Sequence, residues 1–458
     1  MNQLLLAYYG DDFTGSTDVM DVLARAGLRT VLFLDPPSGA QLARFRGLRA
    51  FGVAGGSRTL APEAMDRELP PVLEALRASG APIVHYKICS TFDSAPHIGS
   101  IGRALEIGRR VFGPGRVPMI VGAPSLGRYV VFGNLFARSG LDSEPSRLDR
   151  HPTMRCHPIT PMAEADLRLH LRDQTDRDVA LFDVLQIEAD DADARRNRLP
   201  ADGPVLFDTL NDAHLARIGR WVWEDVLAGR TRLSVSSSGL EHALVGWWRH
   251  AALLAPPPPE AAPATPHPLL VVSGSCSPVT SRQIGRAIAA GALDLPLDPL
   301  ALLDGSLPDE TLRLASDALR ANQSVVLHTS RGPEDPRRLA GATSGQRSRL
   351  STALGRCIDR ILSGTPTRRT VVCGGDTGLG VARALGIESL EFLAPLAPGG
   401  PWCRAAAPDR AADARAFLFK GGQIGRDAIL LDAARTHLEP PPIPLPSHPT
   451  PGAWNVRG

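Results

Sequence analysis

The sequence predicts an α/β protein of two domains, each a mostly parallel sheet flanked by helices, with a cleft between them. Short apolar segments alternate with longer segments of helical periodicity on both sides of a proline-rich stretch. Most of the apolar segments do not alternate strictly with polar residues, which is typical of strands buried on both faces of a sheet. At 458 residues the chain is also longer than one hydrophobic core usually supports.

Proline-rich segments mark the expected domain boundaries. Residues 251–268 contain a run of proline and alanine that predicts an extended, semi-rigid linker. We therefore expect an N-terminal domain over residues 1–250 and a C-terminal domain over residues 269–435. Residues 436–458 are again rich in proline and are expected to form a loose tail.

Strands and helices are predicted in alternation along both parts. The N-terminal strands are Leu4–Tyr9, Val31–Leu34, Ala50–Ala54, Ile83–Ile88, Met119–Gly122, Ala180–Phe182, Val205–Asp208 and Leu233–Val235. Helices with one apolar face are predicted at Ser16–Ala26 and Met65–Ala78. The C-terminal part repeats the scheme, with strands Leu269–Val272, Ser324–His328, Thr370–Cys373 and Phe417–Lys420 and helices at 278–290, 308–321, 347–363 and 379–385. Ligands of such sheets bind beyond the carboxyl ends of strands, so the loops that follow strands are the expected sites.

Composition argues against several classes of protein. A net charge of +2 and an aromatic content of 5% give neither the basic surface nor the stacking platforms of a nucleic-acid-binding protein. No apolar run is long enough to cross a membrane, and the N-terminus lacks the basic region of a signal peptide. The six cysteines are widely spaced without a C-x-x-C motif, which favours free thiols in a reducing cytoplasm.

A glycine-rich loop follows the predicted strand Thr370–Cys373. It contains Gly374, Gly375, Asp376, Thr377 and Gly378, and a helical pattern begins directly after it. Such a turn lets backbone N–H groups approach phosphate oxygens at the start of a helix. Its spacing matches neither the Walker A nor the G-x-G-x-x-G pattern, so an ordinary strand-to-helix connection stays open as the alternative.

Two further loops of the C-terminal part place small or polar residues after a strand. The candidate nucleotide-binding residues there are Ser273, Ser275 and Ser277 in one loop and Lys420, Gly421 and Gly422 in the other. A lysine followed by paired glycines suits a phosphate. Alternatively, Ser277 serves only as the N-cap of a helix and the second loop is a plain turn.

Two acids follow the first predicted strand of the N-terminal part. Asp11 and Asp12 at a strand end are costly to bury unless they meet a cation, a hydroxyl or N–H donors. Adjacent carboxylates can hold sugar hydroxyls, and one of them can act as general base. The alternative is an N-cap cluster, since Asp12 and hydroxyl residues such as Thr14 satisfy the first N–H groups of a helix.

Polar residues also follow two later strands. Lys87, Ser90 and Asp93 lie at the end of the strand Ile83–Ile88, and they come close to the acid pair if the two strands are neighbours. A lysine inside an otherwise apolar strand indicates an anion nearby. Alternatively, Lys87 lies at the edge of the sheet in contact with solvent, followed by a polar turn. Arg128 stands on a later loop, where it either clamps a carboxylate bidentately or is an ordinary surface arginine.

Taken together, these segments resemble the four-carbon acid sugar kinase family, also called DUF1537. The stretch Asp11–Asp18 resembles the family's opening Asp-Asp-Phe-Thr-Gly-Ala-Thr-Asp, and Gly374–Thr377 resembles its nucleotide loop, Gly-Gly-Asp/Glu-Thr-Ser-Gly. The stretch Ser273–Ser277 is similar to its Gly-Ser-Cys-Ser segment, and Lys420–Gly422 to its Lys-Ser/Gly-Gly segment. The resemblance covers about residues 3–430.

Two positions depart from the common family pattern. Cys89–Ser94 stands where many members have Asp-Ser-Thr-Leu-Arg-Gly, which resembles the subgroup acting on 3-oxo-tetronates or on acids such as 3-oxo-isoapionate. The residues 95–99 and the loop ending in Arg128 look more like the second kind. Gly378 replaces the usual serine of the nucleotide loop, which removes one contact to phosphate but leaves the glycines.

The resemblance implies an ATP-dependent kinase that phosphorylates a terminal hydroxyl of a small sugar acid of the 3-oxo-tetronate, 3-oxo-isoapionate, threonate or erythronate type. ATP and Mg²⁺ are the implied cofactors, with no protein ligand of the metal assigned. Asp12 or Asp11 would orient or deprotonate the hydroxyl, and Lys87 and Arg128 would hold the substrate carboxylate. The alternatives are a catalytically inactive regulator that binds nucleotide or sugar acid, and a sugar-acid phosphatase or lyase. The oligomeric state is left open, with a homodimer as one alternative.

Overall fold

The computed structural model describes residues 4–139, 143–157, 159–254, 265–339 and 341–438. Its strands are β1 (Leu6–Gly10), β2 (Thr30–Phe33), β3 (Ala50–Ala54), β4 (Val84–Lys87), β5 (Arg116–Ile120), β6 (Arg128–Val131), β7 (Asn134–Ala137), β8 (Ser146–Arg147), β9 (Ala180–Phe182), β10 (Gly203–Phe207), β11 (Leu233–Ser236), β12 (Leu270–Ser273), β13 (Leu293–Pro296), β14 (Val325–His328), β15 (Arg369–Cys373), β16 (Ser389–Ala397), β17 (Gly400–Ala406) and β18 (Ala416–Lys420). Most of the predicted linker and the tail from residue 439 onward lie outside the described residues.

The helices lie between these strands. They are α1 (Phe13–Arg25), α2 (Gly39–Ala43), α3 (Pro62–Ala78), α4 (Ile101–Phe112), α5 (Leu167–Arg172), α6 (Val184–Glu188), α7 (Ala192–Asn197), α8 (Asp212–Leu227), α9 (Gly239–His250), α10 (Pro278–Ala289), α11 (Pro299–Leu303), α12 (Asp309–Arg320), α13 (Ser344–Gly364), α14 (Gly375–Ala384) and α15 (Ile429–Arg435). The long predicted helices are present with ends shifted by a few residues, and α14 begins earlier, within the glycine-rich loop.

One large sheet runs through both parts of the chain. Its strand order is β11-β4-β1-β3-β2-β16-β17-β18-β15-β12-β14-β13. All pairs are parallel except those that involve β16 and β17, and the antiparallel pair of β2 and β16 joins the N-terminal strands to the C-terminal ones. The predicted α/β class with a mostly parallel sheet is confirmed, but the two sets of strands share one sheet. A cleft between the parts stays a prediction.

Two small sheets complete the N-terminal part. The predicted strands near residues 119, 180 and 205 form a separate parallel sheet in the order β5-β10-β9. Strands β6, β7 and β8, which are not among the predicted strands, form an antiparallel sheet. Because β5, β10 and β9 are separate from the large sheet, the loops that follow them do not lie on the same sheet edge as the loops after β1 and β4.

Helix α1 connects the two parts of the protein. Asp12 is its N-cap, because the Oδ1 atom accepts a hydrogen bond from the Gly15 N–H at 2.7 Å. Further along the helix, the Thr17 hydroxyl donates to the Gly399 carbonyl at 3.1 Å, and Oδ2 of Asp21 accepts from the Gly399 N–H at 3.3 Å. The turn between β16 and β17 is therefore bonded directly to the helix that carries Asp12.

All six cysteines lie in the described parts of the chain and are free thiols. Three of them, Cys357, Cys373 and Cys403, are buried in the core. Among the described residues, no helix has the length and apolar character needed to span a membrane.

Candidate active site

Asp11 and Asp12 lie at the carboxyl end of β1, in the turn to α1. Their side chains differ in exposure, since 5% of Asp11 and 27% of Asp12 is accessible. Burial raises the pKa of Asp11, and the charge of Arg58 opposes that increase. Asp11 is thus a counter-ion held inside the protein, whereas Asp12 is the carboxylate that a bound molecule can reach.

Arg58 completes this corner and was missed from the sequence. Its guanidinium donates to both oxygens of Asp11, from Nη2 at 2.6 Å and from Nε at 3.1 Å, and to Oδ2 of Asp12 from Nη1 at 2.9 Å. It stands on the short 3-10 turn Ser57–Thr59 that follows β3. Because β3 is the parallel neighbour of β1, the loops after both strands lie at the same edge of the sheet, where ligands are expected. Arg58 could therefore have been predicted from the position of its loop.

Lys87 is the second cation near the acid pair. Its side chain is 2% exposed, and its ammonium donates to the Ile88 carbonyl at 2.7 Å. A Cβ atom built on Gly15 would lie 3.2 Å from this nitrogen and 2.6 Å from Oδ1 of Asp12. The glycine therefore lets the ammonium approach the start of α1 beside Asp12, as the neighbouring positions of β1 and β4 predicted.

The other predicted acid-binding residues are spread along the loops after β4 and β5. Asp93 bonds to the Thr160 hydroxyl, which itself contacts Nδ1 of His157 at 2.7 Å. The Arg128 guanidinium donates from Nη1 to the carbonyl of Leu126 at 2.9 Å, and burial lowers its pKa. Asp93 and Arg128 thus both bond to other groups of the protein. Ser90 follows β4 and is half-buried.

Cys89 lies on the loop after β4. Both Arg58 and Arg128 are within electrostatic reach of this thiol. Its Sγ atom is 3.1 Å from the hydroxyl of Thr91. The loop after β4 therefore joins the Asp11–Asp12 corner to the loop that carries Arg128.

The glycine-rich loop forms the N-terminus of α14. Gly374 has a φ of +122°, a conformation that favours glycine, and its N–H donates to the Lys420 carbonyl at 2.9 Å. A Cβ atom on Gly374 would lie 2.8 Å from the hydroxyl of Thr377, which is buried under the loop. Both the backbone conformation and the closeness of Thr377 therefore require glycine at this helix start.

The acid pair and the glycine-rich loop lie next to each other. A Cβ atom on Gly375 would be 3.3 Å from the Thr14 hydroxyl oxygen, and one on Gly421 would be 3.3 Å from the Thr14 methyl group. Phe13 packs edge to face on Phe419 with ring centroids 5.0 Å apart. Residues that are more than 350 positions apart in the sequence therefore meet at the first turn of α1.

The two remaining C-terminal loops adjoin the same helix start. A Cβ atom on Gly274 would be 2.6 Å from the Thr377 hydroxyl, and one on Gly422 would be 2.9 Å from the Ser275 hydroxyl. Ser277 caps α10 through a hydrogen bond from the Val279 N–H at 3.2 Å, as its alternative interpretation predicted. Ser273 ends β12 and accepts from the Ser275 N–H at 3.3 Å.

Lys420 lies beneath these loops and is 1% exposed. Its ammonium donates to the Thr280 hydroxyl at 3.2 Å and to the Gly421 carbonyl at 3.1 Å, and burial lowers its pKa. The Thr280 hydroxyl in turn donates to the Gly422 carbonyl at 2.8 Å. In this arrangement Lys420 supports the Gly421–Gly422 turn from below.

Three loops of the C-terminal part meet at the N-terminus of α14. The tips of these loops carry glycine or serine, and a Cβ atom on Gly374, Gly375 or Gly422 would lie 2.8, 3.3 or 2.9 Å from the hydroxyl of a neighbouring residue. Only glycine therefore lets the loops pack this closely. Within the described residues there is no group of three or more His, Cys, Asp or Glu side chains placed to hold a metal ion. Backbone N–H groups at a helix start and hydroxyls at loop tips are groups that commonly contact phosphate oxygens.

Two domain families match the chain. The sugar-binding N-terminal domain covers residues 6–244, and the nucleotide-binding C-terminal domain covers residues 270–430. The matched ranges place Asp11, Asp12 and Lys87 in the first domain and the glycine-rich loop in the second.

Characterised relatives match over almost the whole chain. A 3-oxo-isoapionate kinase of Paraburkholderia graminis is 47% identical over 448 residues, which cover 94% of this chain and 94% of the relative. A 3-oxo-tetronate kinase of Cupriavidus necator is 31% identical over 441 residues, which cover 94% of this chain and 96% of the relative.

Solved structures share the fold. A crystal structure from Salmonella typhimurium LT2 superimposes with a TM-score of 0.73 and 25% identity, covering 93% of this chain and 98% of that one. The Haemophilus influenzae protein HI1011, a DUF1537 protein, gives a TM-score of 0.68 at 20% identity with the same coverage, and this likeness concerns the fold alone.

Proposed function

The chain belongs to the four-carbon acid sugar kinase family, and we propose that it transfers the γ-phosphoryl group of ATP to a terminal hydroxyl of a branched or four-carbon 3-oxo sugar acid. A 3-oxo-isoapionate is the first substrate to test, because the relative of that name is 47% identical. The observation that carries the proposal is the contact of Thr14 with the glycine-rich loop, which brings a candidate base and a candidate triphosphate site together.

Asp12 is the proposed general base. Of the two acids it is the more exposed, and only one of its oxygens contacts Arg58. Both oxygens of Asp11 are taken by the guanidinium of Arg58, so Asp11 has less capacity to accept a proton from a substrate hydroxyl. The Gly15 N–H fixes the second oxygen of Asp12, which holds the carboxylate in one orientation at the start of α1.

Lys87 and Arg128 are proposed to receive the charge of the acid. Lys87 lies beside Asp12, and its ammonium donates one hydrogen bond to the Ile88 carbonyl. An ammonium donates up to three hydrogen bonds, so an anionic oxygen would complete its coordination. Ser90 and Asp93 are proposed to bind hydroxyls of the acid on the loop that leads toward Arg128.

The nucleotide is proposed to lie across three loops of the C-terminal part. The N–H groups of residues 375–377 would bind phosphate oxygens, because those of Gly374 and Gly378 already donate to the carbonyls of Lys420 and Gly374. Gly374 and Gly378 would line the phosphates, with the hydroxyls of Ser273, Ser275 and Ser277 on one side and the Gly421–Gly422 turn on the other. When Mg²⁺ accompanies ATP, it supplies neutralisation of the charge on the transferred group. Positioning of the two reactants contributes most of the rate, because phosphoryl transfer needs little covalent participation by the protein.

Free thiols and the absence of membrane-spanning helices among the described residues support a cytoplasmic location, which we include in the proposal. The assembly is to be determined by analytical ultracentrifugation, with monomer and homodimer as the two alternatives.

The test is product analysis with the full chain. ATP, Mg²⁺ and single acids would be incubated with the protein, and the products examined by mass spectrometry and ³¹P NMR. The acids are 3-oxo-isoapionate, 3-oxo-tetronates, threonate and erythronate. We expect ADP and one equivalent of a phosphorylated acid for at least one of them. Phosphate release from a phosphorylated acid without ATP would favour a phosphatase, cleavage of an acid without ATP would favour a lyase, and binding without turnover would favour a regulator.

A further inference from the structure

Arg58 is shared between two carboxylates that follow each other in the sequence. Its side chain is 19% exposed and lies in contact with both, and its backbone N–H donates to the Asp11 carbonyl at 3.0 Å. The preceding Gly55 N–H donates to the Gly10 carbonyl at 2.9 Å, so the loop after β3 is fastened to the loop after β1. Backbone bonds to Gly10 and Asp11 therefore fix the loop that carries Arg58 next to the two carboxylates that its guanidinium binds.

The charge balance of this corner depends on that guanidinium. Burial raises the pKa of Asp11, the Arg58 charge lowers it, and the neighbouring Asp12 charge raises it again. Two carboxylates in one site resist joint ionisation unless a cation compensates them. Lys87 is the other cation that faces this corner, and its charge lowers the pKa of Asp11 less than that of Arg58 does. Without Arg58, Lys87 alone would oppose burial and the Asp12 charge, so Asp11 would hold a proton at pH values where it is ionised in the wild type.

We propose that Arg58 is a positioning residue for phosphoryl transfer: it keeps the Asp11–Asp12 pair ionised and fixes the orientation of Asp12. This inference rests on the proposed function, in which Asp12 accepts the proton of the substrate hydroxyl. Arg58 acts through Asp12 rather than on the reacting atoms. The geometry favours this role over direct binding of substrate, since three of its five N–H groups are already directed at the two carboxylates.

The test compares pH profiles of kcat and kcat/KM for the wild type, Arg58→Gln and a matched control between pH 5 and 9. In Arg58→Gln we expect the acid limb of kcat to move up by about one to three pH units, with the KM of the acid within about threefold of wild type. The control is Arg103→Gln, which removes another Arg–Asp pair, with Asp66, on the surface of α4. It should leave the profile and turnover unchanged.

A second variant separates charge from packing. Arg58→Gln combined with Asp11→Asn removes one carboxylate along with the cation, so the acid limb should return toward its wild-type position. Loss of activity in Arg58→Gln that the double variant does not restore, with an unshifted acid limb, would reduce Arg58 to structural support and overturn the proposal. A large rise in KM at unchanged kcat would overturn it in favour of substrate binding.

Arg58→Lys covers the case in which Arg58→Gln does not fold. A lysine keeps the charge but cannot bind both oxygens of Asp11 in a fork, so kcat should fall without a shift of the acid limb. Wild-type kcat and profile in this variant would also overturn the proposal. A wild-type protein without any ATP-dependent turnover would instead refute the proposed function, and the two failures are therefore distinguishable.

Discussion

Replacing Asp12 with asparagine separates the two tasks of this side chain. As N-cap it accepts a hydrogen bond from the Gly15 N–H, and as general base it would accept a proton from the substrate. Asparagine is as good an N-cap as aspartate, but its amide oxygen is a very weak base. The variant should therefore keep the fold and lose the chemistry.

The magnitudes follow from these two tasks. Loss of a general base commonly reduces kcat by ~10²-fold or more, which corresponds to about 3 kcal/mol of transition-state stabilisation. Stability should change by only a few tenths of a kcal/mol in Asp12→Asn, whereas Asp12→Ala should lose about 1 kcal/mol with the cap. Asp11→Asn is the matched comparison, because its carboxylate binds the same guanidinium but is hardly accessible.

The assay measures steady-state kinetics with the acid found in the product screen, ATP binding by calorimetry and unfolding by denaturant. We expect Asp12→Asn to lose turnover with the Kd of ATP within twofold of wild type, and Asp11→Asn to lose less of kcat. Intact turnover in Asp12→Asn would refute the assignment of the base, and so would a larger loss in Asp11→Asn than in Asp12→Asn.

Three further variants test other parts of the site. Gly375→Val should abolish ATP binding in calorimetry, because even its Cβ would lie 3.3 Å from the Thr14 hydroxyl. The control Gly39→Ala, at a position with open space, should bind ATP normally. Unchanged ATP affinity in Gly375→Val would exclude the glycine-rich loop as the nucleotide site. Lys87→Met should raise the KM of the acid by roughly tenfold or more, as expected for the loss of a charged hydrogen bond, and leave the KM of ATP unchanged; equal effects on both would contradict the assignment. Asp21→Asn should make the protein more resistant to denaturant above pH 6, because burial raises the pKa of Asp21 to about 6. Denaturant unfolding at several pH values tests whether the gain follows that ionisation.

Local pattern was sufficient for most strands, because each is a short apolar run ended by glycine or a polar residue. The strand Ala50–Ala54 was predicted with its observed bounds, and the meeting of Lys87 with the acid pair followed from the order of neighbouring strands. The shared sheet was not predictable in this way. It depends on β2 pairing with β16, more than 350 residues away, and on an irregular antiparallel pair of β16 and β17 whose register shifts twice.

Side-chain contacts across loops were the least accessible from sequence. Asp93 is bonded to Thr160, which lies in a segment without a chemical motif, and no local pattern indicates that partner. Arg58 differs, since it follows a correctly predicted strand that neighbours β1. Attention to every loop at that edge, rather than to loops with familiar motifs, would have found it.

The contact between α1 and the turn of β16 and β17 carries a titratable group. Burial raises the pKa of Asp21 to about 6 from 3.8, with Arg25 opposing the increase and Asp18 adding to it, while the Gly399 N–H stabilises the ionised form. The folded protein thus binds this proton more tightly than the unfolded chain does. The stability that this proton contributes is complete below about pH 4 and is lost as the pH rises through about 6.

A shift of about two units corresponds to about 3 kcal/mol at pH 8. Asparagine does not titrate and keeps an oxygen for the Gly399 N–H, so it resembles the protonated acid. The difference in unfolding free energy between Asp21→Asn and wild type should therefore be small below about pH 4, grow between about pH 4 and 6, and reach its plateau above pH 6. A difference that does not vary with pH would mean that Asp21 does not titrate in this range, and would refute the raised pKa. If Asp21 stays ionised, its ion pair with Arg25, at 2.8 Å, rather than burial controls its charge.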